Sequence, residues 1–535
     1  HFHIFCFNFG DDEQVVIVME EVYYPLGGQN FEKIITGGWF YVDKTGYIRR
    51  FLKGGYYFLG RPRRFGKSLF LSTLRYFFEG RKDLFKGLEA ESFDWDWTPY
   101  PVLYIDLNVG NYSGRDGLKD NLENHVLRWE KQYGITPEVS NLAIRLSNII
   151  RAAHETTGKR VVVLVDEYDK PLVNSLGNKD RYEEYKNELA GFYSNFKSSA
   201  EHIHLIFLTG VSRFGKISIF SGLNNIRDIS TNERFSAICG ITEKEIDSRF
   251  SQGLEAFSEE KGISVEEIKN NLKVSYDGYH FSAQNIDVYN PFSLLSSMAD
   301  FKFKNYWIES GGKPTILLEI LKSLDIDLHS FFNVRCSEES LSGLDISTLN
   351  PIALFYQTGY LTIKKYDENS GLFTLGLPNK EVKQGLLEYL LPYYVDLHNE
   401  STEFVVSKFV EDFKSGNVDA FMKRLTSLFS SVPYSMAMEN ERNIHNALLM
   451  LMILVGLRVK TEYQTSEGRI DLLVRTEKYI YIIELKLDGS AEDALRQIDD
   501  NNYALPFLSE GREIIRIGIN FSTSRRTISE WRMKR

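Results

Sequence analysis

The sequence predicts an α/β protein built on a parallel β-sheet with helices on both faces, followed by further α/β modules. Three observations predict it. Near-continuous apolar stretches alternate with helical ones through the first half of the chain. "YYFLGRPRRFGKSLFLSTLRYFF" (56–78) sets a basic loop ending in glycine between an apolar strand and an amphipathic helix. "RVVVLVDEYD" (160–169) is an apolar strand that ends in acids. Strands that are apolar throughout, rather than alternating, belong to sheets buried on both sides.

In order, residues 36–53, "TGGWFYVDKTGYIRRFLK", read as a short strand and then a helix. "YYFLG" is the first strand of the sheet, and a helix from Ser68 to Phe78 follows its loop. "PVLYIDLN" (101–108) is the second strand, apolar up to Asp106. Residues 160–169 are the third and "IHLIFLTGVS" (203–212) the fourth. "ITEKEIDSRF" opens a helix with a capping box from Thr242 to Glu245. From 276 the texture becomes turn-rich and aromatic. There "LFYQTGYLTIKKYDENSGLFTLGLPNKEV" reads as helix, strand, turn, strand, a winged-helix-like order. Residues 401–535 read as helices, the hairpin "RIDLLVRTEKYIYIIELK" and a helix from Ala491. These shifts divide the chain into 19–275, a helical or winged-helix-like linker at 276–400, and 401–535. Residues 1–18 are expected to be an upstream extension without structural role, because globular patterning begins at Met19.

A chain of 535 residues has room for several domains. Its net charge of −10 means that any nucleic-acid contact must come from local basic patches. The three cysteines lie far apart and match no zinc spacing, which fits a reducing, cytoplasmic compartment. No apolar run approaches the roughly 18 residues of a membrane span. The longest, 447–457, reads as a buried helix, and the aromatic N-terminus has no basic leader.

The opening loop has the parts of a phosphate cradle. Successive backbone N–H groups at a helix N-terminus wrap phosphates, a lysine reaches the outer ones, and the next hydroxyl holds Mg²⁺. Gly66, Lys67 and Ser68 supply these parts, with Arg64, Phe65 and Leu69 flanking them in the loop. Gly60 stands one residue too early to be the first glycine of the usual loop. That position is Arg61, which the turn accepts if its φ stays negative. The strand 160–169 delivers Asp166 to the metal and Glu167 to orient or deprotonate an attacking water. Thr209 and Ser212, at the end of the fourth strand, are placed to sense a γ-phosphate. Arg213 is a candidate contact to it or a surface arginine. "RFGKIS" (213–218) lacks the hydroxyl residue, having Ile217, and reads as a loop. Singly, these pieces are a basic turn and an acidic strand end. In this order they make a nucleoside-triphosphate site.

"FYVDKTGYI", "RPRRFGKSLFLSTL", "VVVLVDEYDKPL", "LTGVSRFGKISIFSGLNN" and "YDGYHF…VYNPFSLL" resemble the AAA-ATPase-like family of bacterial proteins. The resemblance covers about 25–310 and implies ATP rather than GTP. It also implies that the RPRRFGKS form of the loop is normal. Asp43 and Lys44 belong to its N-terminal signature, without an assigned role.

In the C-terminal hairpin, a tight turn centred on Glu477–Lys478 sets Asp471 opposite Glu484. Directly opposed residues share a face, and Lys486, two beyond Glu484, shares it too. Opposed like charges destabilise unless neutralised. Mg²⁺, with Mn²⁺ an alternative, would neutralise them, generate hydroxide and stabilise a leaving oxygen. The plain reading is a charged hairpin face in which Lys486 pairs with Glu484. Upstream, Glu441 and His445 share a helix face. Downstream, the helix from Ala491 offers Gln497 and Tyr503. The order Glu, Asp, Glu-X-Lys, Gln resembles the PD-(D/E)XK nuclease superfamily, a restriction-endonuclease-like α/β fold. The resemblance puts Asp471, Glu484 and Lys486 at the core positions and Glu441 as the accessory acid. No proline precedes Asp471.

Together these resemblances imply an ATP-regulated, Mg²⁺-dependent DNA nuclease, in defence or in the handling of mobile DNA, with RNA also open as a substrate. The alternative is a signalling or scaffold ATPase whose tail binds nucleic acid without cleaving it. Monomer and oligomer both stay open, and no membrane partner is expected.

Overall fold

The structure is a computed structural model. It describes residues 22–112, 116–212, 225–283, 286–310, 333–342, 351–393, 401–430, 458–465, 468–522 and 527–535, with a few single residues between them. Two compact units emerge: His1–Trp307 with Cys336–Phe373, and Ile308–Arg335 with Thr374–Arg535.

The first unit is built on five strands: β1 (Gly55–Gly60), β2 (Val102–Asp106), β3 (Val161–Asp166), β4 (Ile203–Gly210) and β5 (Arg227–Asp228). All pairs are parallel, in the order β2-β3-β4-β1-β5. Every residue of β3 and β4 is buried, as their unbroken apolar runs require. β4 lies between β1 and β3. The carboxyl ends of β1, β3 and β4 therefore meet on one edge, where open α/β sheets bind ligands.

The loop after β1 enters the helix Lys67–Phe78, which buries Phe70, Leu71, Leu74, Phe77 and Phe78. The capping box at Thr242 and Glu245 is formed as expected and starts the helix Glu243–Arg249. The strand expected within 36–53 is absent, and its helix is a 3-10 turn, Thr45–Arg50. Asp43 explains the difference. Its carboxylate accepts from the Thr45 amide at 2.8 Å, the Thr45 hydroxyl at 2.7 Å and the Glu89 amide at 2.8 Å, folding the chain back before a ladder can form. Lys44 donates to both Glu245 oxygens (2.6 and 2.8 Å) and to the Ala237 carbonyl. The two signature residues thus tie the N-terminal segment to the rest of its unit.

A third sheet is small: β6 (Arg335–Cys336), β7 (Thr362–Asp367) and β8 (Leu372–Gly376). The helices Pro351–Thr358 and Lys380–Leu390 stand before β7 and after β8.

The second unit holds β9 (Arg458–Thr465), β10 (Gly468–Arg475), β11 (Tyr479–Leu487), β12 (Glu513–Ser522) and β13 (Thr527–Lys534), in the order β13-β12-β11-β10-β9. Only β11 and β12 are parallel. The helix Ala491–Asp500 lies in the crossover that this pairing needs. Its apolar face meets the sheet at a core of Ile470, Leu473, Ile480, Ile482, Leu495, Ile498, Tyr503 and Phe507.

Candidate active sites

The first site lies at the carboxyl ends of β1, β3 and β4. Two loop residues take left-handed backbone, Gly66 at φ 89° and Arg64 at φ 68°. Gly66 adopts it without strain, while for Arg64 it costs about 1–2 kcal/mol. Arg61 is not among the positive-φ residues, so the missing glycine is replaced at no such cost. The Arg61 side chain turns inward and is 1% exposed. It donates to the carbonyls of Gly60, Ser230 and Phe235 at 2.8, 2.7 and 2.9 Å, and its guanidinium stacks 4.1 Å from the Phe281 ring. It is a buried support beneath the loop.

Lys67 is buried, and its ammonium donates to the Arg61 and Pro62 carbonyls at 2.9 and 3.0 Å. Burial pulls its pKa down, against the nearby carboxylates of Glu167, Asp166 and Asp169. Asp166 closes the other side. It accepts from Thr209 at 2.6 Å, from Tyr104 at 3.3 Å and from the Ser68 hydroxyl. Burial raises its pKa and the Thr209 and Ser68 hydrogen bonds oppose that. Glu167 has φ 50°, remains partly exposed, and lies 3.6 Å from Lys170 Nζ. Phe65 is buried edge-on against Tyr279 and Phe281. Leu69 is half-buried in the first turn of the helix.

Asp169 is the residue that sequence reasoning passed over. Its buried carboxylate accepts from the amides of Val211 and Ser212 and from the Ser212 hydroxyl. The end of β4 is thereby fixed to the turn after β3. The signal was present as the third acid of "DEYD". Arg213 lies outside the described residues. A buried ammonium at a helix N-terminus, beside a hydroxyl already joined to a carboxylate, fits a nucleotide triphosphate with a divalent cation.

The second site is the hairpin of β10 and β11. Its pairs run from Arg475↔Ile480 to Leu472↔Ile483, the register expected from the turn, and the Asp471 and Glu484 carboxyl groups interact just beyond the last pair. Asp471 Oδ2 accepts from the Leu485 amide at 3.0 Å. Lys486 Nζ lies 3.8 Å from Glu484 and donates to Gln497 of the following helix. Glu484 is 1% exposed, and its Oε2 is buried without a hydrogen-bond partner. Burial, with the Asp471 charge adding to it, pushes the Glu484 carboxyl up to about 8. The raised pKa favours a proton on Glu484, which relieves the repulsion of the opposed acids.

Two carboxyl groups brought together, one of them buried, fit a hard divalent cation that takes the place of their shared proton. Among the described residues no cluster of three or more His, Cys, Asp and Glu side chains gathers. Glu441 and His445 lie outside the described residues. Tyr503 is buried in the core and accepts from Asn501 at 2.9 Å.

With both sites laid out, the class is defined: an α/β ATPase-like domain and a nuclease-like domain in one chain. The model of the predicted AAA-ATPase family matches residues 25–220, and that of the PD-(D/E)XK nuclease superfamily matches 439–531. A relative from Azotobacter chroococcum mcd 1, the uncharacterized protein in the vnfD 5' region, is 34% identical over 516 residues, or 94% of this chain and 97% of the relative. The chain belongs to the predicted AAA-ATPase family with a C-terminal PD-(D/E)XK domain. Domains of these families generally use nucleotide and divalent metal. No helix among the described residues is long and apolar enough to cross a membrane.

Proposed function

We propose that the protein binds and hydrolyses ATP and uses it to regulate Mg²⁺-dependent cleavage of DNA by its C-terminal domain. One observation carries the reading: the buried Glu484 carboxyl lies beside the Asp471 carboxylate and 3.8 Å from Lys486 Nζ. Lys67, with the loop from Arg64 to Leu69, would hold the phosphates, and Ser68 and Asp166 a Mg²⁺. Glu167, left partly exposed at the rim, would orient the attacking water, and Ser212 would face the outer phosphate. At the second site Asp471 and Glu484, with Glu441 as accessory acid, would hold Mg²⁺ or Mn²⁺. Such a cation lowers the pKa of bound water and offsets charge on the leaving oxygen. Lys486, held by Gln497, would position the water.

In this reading residues 19–275 are the ATPase domain, 276–400 the linker and 401–535 the nuclease domain, in a cytoplasmic protein acting on foreign or mobile DNA. The test is incubation of the purified protein with linear, circular and single-stranded DNA, with and without ATP and Mg²⁺. Cleavage by the wild type and its loss in Glu484→Ala are expected. Retained binding without any cleavage would favour a signalling or scaffold ATPase.

A further inference from the structure

The family match for the ATPase ends at residue 220, yet the phosphate loop is supported from beyond it. The Trp307 indole, 2% exposed, donates to the Arg63 carbonyl at 3.2 Å. Gly359, at φ 93°, lies so close to Pro62 that a Cβ there would come within 2.7 Å of the Pro62 ring. Tyr356 and Gln357, from the helix Pro351–Thr358, line a small cavity with Gly60, Arg61 and Pro62. Phe281 carries the Arg61 guanidinium and packs on Phe65.

Two ties bind these supports together. The His280 amide donates to Thr362 Oγ1 at 2.8 Å, and His280 Nδ1 lies 2.8 Å from the Ile363 carbonyl. The loop stretch from Arg61 to Phe65 is thus held by Tyr279, Phe281, Trp307, Tyr356, Gln357 and Gly359.

We propose that this collar is the part of the chain that reads whether the loop holds a phosphate, with Trp307 as its positioning residue. The proposal deepens the ATP-regulation reading and rests on it. Lys67 donates to two neutral carbonyls, those of Arg61 and Pro62. A phosphate oxygen is a far stronger acceptor for an ammonium than a neutral carbonyl. A phosphate bound at the loop draws that ammonium away, and the Arg61 and Pro62 carbonyls lose their shared donor. The turn they form is then free to shift, and the groups against it are Trp307, Gly359 and Phe281. In a close-packed interior a shift of the turn must move what touches it.

The test is tryptophan emission of the full chain at saturating ATP, in the wild type and in Trp307→Phe, with labelled ATP binding measured beside it. Phe keeps the ring packing and removes the N–H donor. A nucleotide-induced emission change is expected in the wild type and its loss in Trp307→Phe. An equal change in both, or none in a wild type that binds ATP, overturns the inference. A wild type that fails to bind labelled ATP overturns the ATPase reading instead. If Trp307→Phe does not fold, hydrogen exchange on the wild type decides. Amides at 279–283 and 355–363 should change protection with ATP, and not in Lys67→Ala. Unchanged protection in a wild type that binds ATP overturns the collar.

Discussion

Thr209 Oγ1 stands 2.6 Å from Asp166 Oδ1, donating to it across the neighbouring strands β4 and β3. Both residues are buried, so the bond is made away from water. It favours the charged carboxylate, against a burial that raises its pKa. Thr209→Val keeps the shape and removes the donor. Loss of a partner from a buried acceptor costs roughly 1–3 kcal/mol. Chemical denaturation should show that loss. ATP hydrolysis should fall with it, because an Asp166 that takes up a proton no longer holds a cation. A variant as stable and active as the wild type would deny Thr209 this role.

Lys67 and Glu167 separate binding from chemistry. Lys67→Ala removes the one buried ammonium of the loop and should weaken ATP binding strongly. Glu167→Gln keeps shape and hydrogen-bonding capacity but not the basic carboxylate. Loss of a general base costs about 10²–10⁴-fold in rate. Binding of labelled ATP with near-normal affinity and slowed turnover is therefore expected. Wild-type turnover in Glu167→Gln would show that another group handles the water.

The sheet and both sites were legible in the sequence to different depths. β3 and β4 declared themselves because strands buried on both faces must be apolar at every position. The register of the β10–β11 hairpin followed from a two-residue turn, since pairing then counts outward residue by residue. The inward turn of Arg61 was not legible, because its carbonyl partners at Ser230 and Phe235 lie about 170 residues away in sequence. The clasp of Asp169 on Ser212 was hidden for the same reason. The strand expected within 36–53 failed because Asp43 folds the chain into a turn there, held in part by the Glu89 amide 46 residues away.

His280 supplies a pH dependence. Its Nε2 lies 2.6 Å from Asp287, and Nδ1 faces the Ile363 carbonyl, so both ring nitrogens face acceptors. Burial lowers its pKa, but the Asp287 carboxylate outweighs that and the result is a raised value; Lys364 acts against it. Asp277 and Lys273 act on Asp287 or its surroundings. A histidine raised above its unfolded value of about 6.5 stabilises fully below that pH. The contribution is lost as pH rises through the folded pKa. The melting temperature of the full chain should thus fall as pH rises above neutral. His280→Gln should lower stability by roughly 1.5–3 kcal/mol at pH 6, the worth of a charged hydrogen bond, and less at pH 9. An equal deficit at both pH values would remove His280 as the source.

The last prediction joins protons, metal and cleavage. Glu484 titrates near 8 in the folded chain against an ordinary value of 4.5. The folded state therefore keeps a proton that the unfolded state has released, and metal-free stability should fall as pH rises from about 4.5 to about 8. A divalent cation must displace that proton. Its binding at neutral pH should release protons, seen as a buffer-dependent heat in calorimetry, and should tighten as pH rises. Asp471→Asn removes the opposing charge, so the pH slope should shallow and metal-induced stabilisation should shrink. Cleavage should vanish in Asp471→Asn and in Lys486→Ala while ATP hydrolysis persists, because the two sites stand on separate sheets. Lys67→Ala, in contrast, should alter DNA cleavage by the full chain although Asp471, Glu484 and Lys486 are untouched. Cleavage in Lys67→Ala that matches the wild type with and without ATP would sink the regulation. Cleavage that survives a chelator would sink the metal assignment.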